Sequence, residues 1–554
     1  KGEVKTEVLP ELIYRKYLGG GALASYFLLS EMPKGVDPLG PENILVFACS
    51  PITGTTVPGA SRYTVAAKSP LTGGFGEAEA GGWWAPEFKW AGYDAIIIKG
   101  ISPKPVYLWI KDDKIELRDA SSLTGKTTGE AERMIREELS DDKIRIAQIG
   151  PAGEKLINYA CISNESKHYN GRVGLGAVMG SKKLRAIAVR ASGKNPYHDE
   201  AKIKEITKEF ALNWKEVGQG FHDYGTAGGV EGLHAAGILP TRNFREGQFE
   251  GASAISGPTM AETILVRRGH CYACPVRCKR EVKVEGRYDV DPYYGGPEYE
   301  TIGSLGSLLG IDDLEAIAKG NELCNKYGLD TISTGTTIAF AMECFEEGII
   351  TEKDTDGIQL KFGNADAMLA MIEKIYNLDG IGATLAKGVA KAAQIFGKGA
   401  EKYAMHVKGQ EFPMHEPRGK VNLGIQYAIS PTGADHMEMP HDPMFADYGY
   451  PLESVMPLGL LEPVNPLDLS NQKVRFNTYT ERLWSLYNCI CLCMFTGAPS
   501  GALSLKNLVS LLEAVTGWNT SLFELIKIGE KSQTMARCFN NREGFTKEDD
   551  KLPD

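Results

Sequence analysis

Apolar positions are laid out in two ways along the chain. From Lys1 to about Ser192 they come as short runs, such as Asn43-Ile44-Leu45-Val46-Phe47 and Ala95-Ile96-Ile97-Ile98, broken by glycine and proline turns. Short apolar runs between turn residues predict strands. After Gly193-Lys194-Asn195-Pro196 the pattern changes to a helical period, clearest over Asp312 to Tyr327 and Ile332 to Glu347, which Gly328-Leu329-Asp330 separates. A Gly/Pro-rich stretch from Gly409 to Gly433 opens a third region, with helical segments near Leu483 and Leu508. The pattern predicts an α+β protein of three domains: a β-rich domain over residues 1–195 and two mainly helical ones over 196–405 and 406–554. No fixed-period repeat or low-complexity tract is present, which argues against a solenoid or propeller.

With 554 residues, 43% hydrophobic and 24% charged, the chain is ordinary in composition and too long for one core. No run approaches the roughly 20 apolar residues of a membrane span, and Lys1-Gly2-Glu3-Val4-Lys5 lacks a signal-peptide apolar stretch, so a soluble cytoplasmic protein is expected. The net charge of -10, without a basic tail, argues against a nucleic-acid partner. The 11 cysteines are odd in number and scattered apart from two groups, unlike a secreted disulfide framework.

Those two groups carry the first chemistry. Cys271-Tyr272-Ala273-Cys274-Pro275-Val276-Arg277-Cys278 is C-x2-C-x3-C, and Pro275 favours a tight loop that turns thiolates inward. Far downstream, Cys489-Ile490-Cys491-Leu492-Cys493 offers a fourth ligand, completing the set a 4Fe-4S cluster needs. A structural zinc site is the alternative from spacing alone. Around the first group, Arg267, Arg268, Arg277, Lys279, Arg280, Lys283 and Arg287 outnumber Glu281 and Glu285, a basic segment that would steer an acidic electron carrier to the cluster.

Five segments, in order, resemble the tungsten-containing aldehyde:ferredoxin oxidoreductase family: Cys271 to Cys278, Gly296-Pro297-Glu298-Tyr299-Glu300, Asn325-Lys326-Tyr327-Gly328-Leu329-Asp330, Gly433-Ala434-Asp435-His436, and Asn488 to Cys493. The resemblance implies a first domain of two antiparallel sheets that carries a tungsten or molybdenum ion on the dithiolenes of two pterins. It implies Arg62, Glu79, Gly81, Arg172, Val173 and Gly174 at the pterin phosphates and their bridging magnesium. It further implies Asn325, Leu329 and Asp330 at one pterin, and Asn488, Leu492 and Met494 at the other. The cluster ligands would be Cys271, Cys274, Cys278 and Cys493. The implied reaction oxidises an aldehyde to a carboxylic acid and passes electrons to ferredoxin or an iron-sulfur subunit. Glu300 would be the base and His436 the donor to the carbonyl oxygen, with His415 and His441 as other candidates for the donor.

The chain departs from the family at several of these places. Asn325 and Asn488 stand where aspartates lead the two loops, Cys491 stands for a glycine, and Glu79 for an asparagine. Thr432 and Glu438 replace an arginine and a lysine that some members place on phosphate. Lys319-Gly320-Asn321-Glu322 replaces a Glu-x-x-His that bridges one member's dimer, so that dimer is not expected, although an oligomer of another kind is compatible. A second reading on the same scaffold is a tungsten-dependent reductase of the aryl-CoA ring-reducing type.

Overall fold

The computed structural model describes residues 2–553. Two sheets fill the first region. Strands β1 (Leu45–Ala48), β2 (Tyr63–Lys68), β3 (Phe75–Ala80) and β4 (Ala95–Ile98) pair antiparallel in the order β3-β2-β1-β4. Strands β5 (Val106–Lys111), β6 (Lys114–Asp119), β7 (Arg145–Ile149), β8 (Ile162–Asn164), β9 (His168–Asn170) and β10 (Leu184–Arg190) form a second sheet in the order β6-β5-β10-β7-β8-β9. The expected two sheets are present. The second, however, is not wholly antiparallel, because β10 runs parallel to β5. The long segment between those strands includes the helix Thr128–Leu139 and makes the crossover that a parallel pair requires. Between the sheets lie Phe47, Tyr63, Trp84 and Phe88, the last two stacked with ring centroids 5.1 Å apart.

The first region also holds the helix Gly20–Glu31, which the alternation of apolar runs does not reveal. Its residues Gly20 to Ser25, Phe27 and Leu28 are all buried. A helix apolar on all sides carries no 3.6-residue stripe. It packs against the helix Leu522–Glu543 through Phe27, Ala536 and Phe539, so the end of the described chain is folded back onto its start.

After β10, the helix Glu200–Tyr224 begins at Asp199, whose side chain caps it by accepting from Lys202 N–H. The two helices expected from periodicity run Leu314–Tyr327 and Thr331–Glu346, capped by Asp313 and Asp330. The second is buried from Ile332 through Cys344 and forms the centre of the helical part. Helices Asn471–Cys489 and Leu505–Thr516 account for the segments near Leu483 and Leu508. Among the described residues no helix is long and apolar enough to cross a membrane.

Candidate active site and thiol centre

Two loops tie the helical part to the sheets. Asn325 to Asp330 closes the helix Leu314–Tyr327: Gly328 takes the left-handed conformation (φ +76°), and the N–H groups of Gly328 and Leu329 donate to Cys324 O at 2.8 and 2.9 Å. The loop is then stitched to the first region, Cys161 N–H donating to Gly328 O and Asp330 N–H to Tyr159 O. Asn488 to Cys493 closes the helix Asn471–Cys489 in the same manner, with Cys491 left-handed (φ +51°) and Leu492 N–H donating to Tyr487 O at 2.9 Å. Its dock is Gly59, whose carbonyl accepts from Cys493 N–H, and Ser50, whose hydroxyl donates to Ile490 O. Gly20 sits so close to Asn488 that a Cβ on it would lie 1.9 Å from the Asn488 carbonyl oxygen.

The four thiols implied as cluster ligands face one another. Burial and mutual proximity push Cys271 up, Cys274 to about 12 and Cys278 well up, and Cys493 is among the neighbours acting on all three. Buried thiols in one another's field stay protonated unless a cation holds them as thiolates. Cys491 turns elsewhere, its sulfur 3.6 Å from Ala48 O, and Cys489 lies near Glu77. The only three-residue group of His, Cys, Asp or Glu atoms lying within 4.8 Å of one another among the described residues is Glu300, His415 and His436. The thiols are therefore spread more widely than the sulfurs about 3.8 Å apart around a tetrahedral zinc. Gly81, implied at the phosphates, also stands against the thiols, where a Cβ would come 2.9 Å from Cys271 Sγ.

The basic segment is less charged than its sequence suggests. Lys279 pairs with Glu298, Arg267 with Glu281, Lys283 with Glu285 and Arg287 with Asp366, and Arg280 is buried with its guanidinium on the carbonyls of His222, Asp223 and Arg277. Arg277 and Lys215 remain at the rim of an open cavity of about 820 Å³ beside Cys274, walled by Trp83, Trp214 and Tyr272.

Glu300 lies in the first turn of the helix Tyr299–Leu305 yet does not cap it. Its Oε2 accepts from Met414 N–H at 2.8 Å, and its Oε1 has no hydrogen-bond donor although His415 Nε2 stands 3.1 Å away and His436 Nε2 3.6 Å away. Both histidine runners-up belong to the same group, since the His415 ring is 5.3 Å from that of His436 and 4.1 Å from that of His441. Burial holds all three imidazoles below their ordinary range, aided by Lys420 in each case, so they are neutral near pH 7. Sequence reasoning passed over Lys420, because nothing in its neighbours signals that an amine there is buried.

A second polar group lies at the junction of β3 with the Gly433–His436 segment. Arg62 Nη2 donates to Glu79 O at 3.2 Å, and Glu79 shares its face of β3 with Glu77, whose Oε1 is buried without a donor. Burial pushes both carboxyls up together with Asp435, and Glu438 to about 8. Arg172, implied on phosphate, spends donors on protein: Nη2 on Glu411 O at 2.6 Å, Nη1 on Ala434 O at 3.4 Å, with Nε 3.3 Å from Asp330 Oδ2. Val173 and Gly174 are consecutive left-handed residues that turn this segment (φ +59° and +73°). Asn325 donates its amide to Tyr294 O, and Asp330 caps the next helix through Ile332 N–H and Ser333 N–H. Leu329, Leu492 and Met494 are buried and offer only backbone polar atoms.

Thiols close to one another, a buried carboxylate oxygen among neutral histidines and a polar sheet junction are groups suited to redox chemistry, and the family follows from comparison with known proteins. Residues 1–191 match the family model described as aldehyde ferredoxin oxidoreductase, N-terminal domain, and residues 202–554 match the model for its domains 2 and 3. The chain belongs to the aldehyde ferredoxin oxidoreductase family, a family of oxidoreductases. It is similar to the tungsten-containing aldehyde ferredoxin oxidoreductases of Thermococcus kodakarensis and Pyrococcus furiosus, 40% identical to each over 560 residues, which is 100% of this chain and 89% of each relative. It is also 34% identical, over 78% of this chain and 73% of the relative, to the WOR-like subunit of an aliphatic sulfonate oxidoreductase of Pyrococcus furiosus. Among solved structures it resembles the active site complex BamBC of benzoyl coenzyme A reductase in complex with 1,5 dienoyl-CoA, with a TM-score of 0.85 and 26% identity over 99% of this chain and 88% of that one.

Proposed function

We propose that this chain oxidises aldehydes to carboxylic acids at a tungsten or molybdenum ion carried by two pterin dithiolenes, and that Glu300 is the base. The observation that carries the reading is Glu300 Oε1, a buried oxygen without a donor that faces two neutral imidazoles. The balance is RCHO + H2O → RCOOH + 2 electrons + 2 protons. The metal, when bound, supplies the two-electron acceptor. Glu300, held through Oε2 by Met414 N–H, takes a proton at Oε1 as water adds to the carbonyl carbon. His436 Nε2–H donates to the carbonyl oxygen as negative charge builds on it; a neutral imidazole in a dry site is suited to this. Tyr299, Tyr427 and Met414, all buried, keep bulk water from the pocket.

The residues fit the implied groups. Buried polar atoms without partners, Asn170 Oδ1 and Gln410 Oε1 as well as Glu77 Oε1, collect where a polar cofactor would lie between the sheets and the Gly433–His436 segment. Glu79, beside Glu77, would hold a magnesium ion, the counter-charge these carboxylates lack. Cys271, Cys274, Cys278 and Cys493 would hold the 4Fe-4S cluster, and the cavity beside Cys274 is where ferredoxin or an iron-sulfur subunit would collect electrons. The fold match to benzoyl coenzyme A reductase favours one other reading, reduction of an aryl-CoA thioester. The higher identity to the aldehyde enzymes, 40% against 26%, supports oxidation as the first reading.

The test is Glu300→Gln, assayed with aldehydes and with an aryl-CoA thioester. Aldehyde turnover should fall by roughly 100-fold or more, with tungsten or molybdenum and iron content unchanged. Normal aldehyde turnover in the fully loaded variant would falsify the assignment.

A further inference from the structure

Each aldehyde oxidised releases two protons inside a pocket where Glu300 can hold one. The structure holds a route away from Glu300, and it rests on the reading of Glu300 as the base. The segment Met414 to Lys420 turns back on itself, the N–H groups of Gly419 and Lys420 both donating to Glu416 O at 3.2 and 3.1 Å. The turn brings Lys420 Nζ to 2.7 Å from His415 Nδ1. On the opposite edge of the same ring, His415 Nε2 lies 3.1 Å from Glu300 Oε1. One imidazole thus bridges a carboxylate and an amine.

Lys420 is 1% exposed, and its amine meets the imidazole rather than a carboxylate. The charged groups acting on it are Glu300 and Asp442, and the latter is already paired with Lys473 at 2.6 Å. Facing His415 are Lys420, Glu300, His436, His441 and the ring of Tyr299. An amine buried without a paired carboxylate is costly for a fold to keep, and such groups concentrate at functional sites.

We propose that Lys420 is the acceptor for the proton that Glu300 collects, reached through His415. With Lys420 as the free amine, His415 donates Nδ1–H to Nζ and presents the bare Nε2 to Glu300. Protonated Glu300 then gives its proton to Nε2 while the Nδ1 proton passes to Lys420. The O–H and Nδ1–H bonds break and the Nε2–H and Nζ–H bonds form. Glu300 returns to carboxylate, His415 changes tautomer and Lys420 becomes ammonium, with no electrons exchanged. Lys420 acts on Glu300 through His415 and is a positioning residue for the base. Burial lowers it to about 8, against the pull of Glu300 and Asp442, so both of its forms are populated at mildly alkaline pH.

The experiment is the pH profile of kcat for the holoenzyme with an artificial dye as acceptor, from about pH 6.5 to about 9.5. The wild type should rise by roughly 30-fold across that range, through an inflection near 8, as Lys420 becomes able to accept. Lys420→Met should lose the inflection, with kcat down roughly 100-fold, KM unchanged and metal content unchanged. Lys420→Arg, a permanent cation, should be as slow and as flat as Lys420→Met, whereas a merely structural charge would be restored by it. Unfolding supplies a reading independent of turnover. The folded amine sits near 8 against an ordinary 10.5, so between those values the unfolded chain binds more protons. Wild-type stability should therefore gain on Lys420→Met as pH rises through that window, and the difference should stay constant below it. An inflection that persists in loaded Lys420→Met, full activity in Lys420→Arg, or a flat wild-type profile overturns the relay. That last measurement needs no variant to fold. Glu300→Gln separates the two claims: a dead Glu300→Gln beside an unaltered Lys420→Met profile sinks the relay alone, and an active Glu300→Gln sinks the base.

Discussion

The two loops that close Leu314–Tyr327 and Asn471–Cys489 are one backbone device used twice. Each starts from an asparagine, each puts its fourth residue in the left-handed region, and in each the fifth N–H reaches back to the carbonyl just before the asparagine. They differ in what the sixth residue does. Asp330 turns its carboxylate onto the helix that follows and onto Arg172, so the first loop is a structural joint between the sheets and the helical part. Cys493 turns its thiol toward Cys271, Cys274 and Cys278, so the second loop is a joint between the sheets and the thiol centre. A shared conformation fixes where a side chain is delivered, and the residue type at that point decides what is delivered.

The largest break in this comparison should come at Cys493. Cys493→Ser should strip most of the iron, from about four per chain to less than one, along with the broad visible absorption; Cys489→Ser should leave both intact. Iron analysis of anaerobically prepared protein checks the pair, and retention of a full complement in Cys493→Ser removes that residue from the ligand set. At Asp330 the effect should be on stability. Asp330→Asn leaves the Arg172 guanidinium buried without its carboxylate and weakens the cap on Thr331–Glu346, at a cost of about 3 kcal/mol. Denaturant unfolding should register that loss while iron content stays unchanged. Equal iron loss in both variants would show that the loops do not divide their roles in this way.

Much of this arrangement is legible in the chain. Both loops follow periodic helices, and Glu300, His415, His436 and His441 stand out from the sequence alone. What escapes depends on partners remote in sequence. The basic segment looks charged because Glu298 and Asp366, which neutralise Lys279 and Arg287, lie outside it. The protein partners of Arg172, the Asp330 carboxylate and the Glu411 carbonyl, are likewise not announced by its neighbours. The helix Gly20–Glu31 escapes for a different reason, since burial on every face erases its period. Lys420 escapes because burial, the property that makes it unusual, is set by packing and not by its neighbours.

The finest difference between the loops is at their fourth residue, glycine at 328 and cysteine at 491. Gly328 adopts φ +76° at no steric penalty, and a Cβ there would come 2.8 Å from Gly150 N. Cys491 holds φ +51° with a side chain attached, a strain of roughly 1–2 kcal/mol for an L-residue, and its buried thiol packs against the Gly20 backbone. Replacing Cys491 by glycine removes that strain. It also gives up roughly 1 kcal/mol of burial and about 0.5–1 kcal/mol of unfolded-state entropy, for a net change near zero. Cys491→Ala gives up the burial and keeps the strain. The glycine variant should then be the more stable of the two by roughly 0.5–1 kcal/mol, the reverse of the usual ranking of alanine over glycine. Iron content should be normal in both, because the sulfur at 491 lies against Ala48 O with Cys49 and Cys489 as its thiol neighbours, and is not one of the implied cluster ligands. Parallel urea titrations decide it: an alanine variant more stable than the glycine variant would mean that position 491 does not keep the left-handed turn it shares with Gly328.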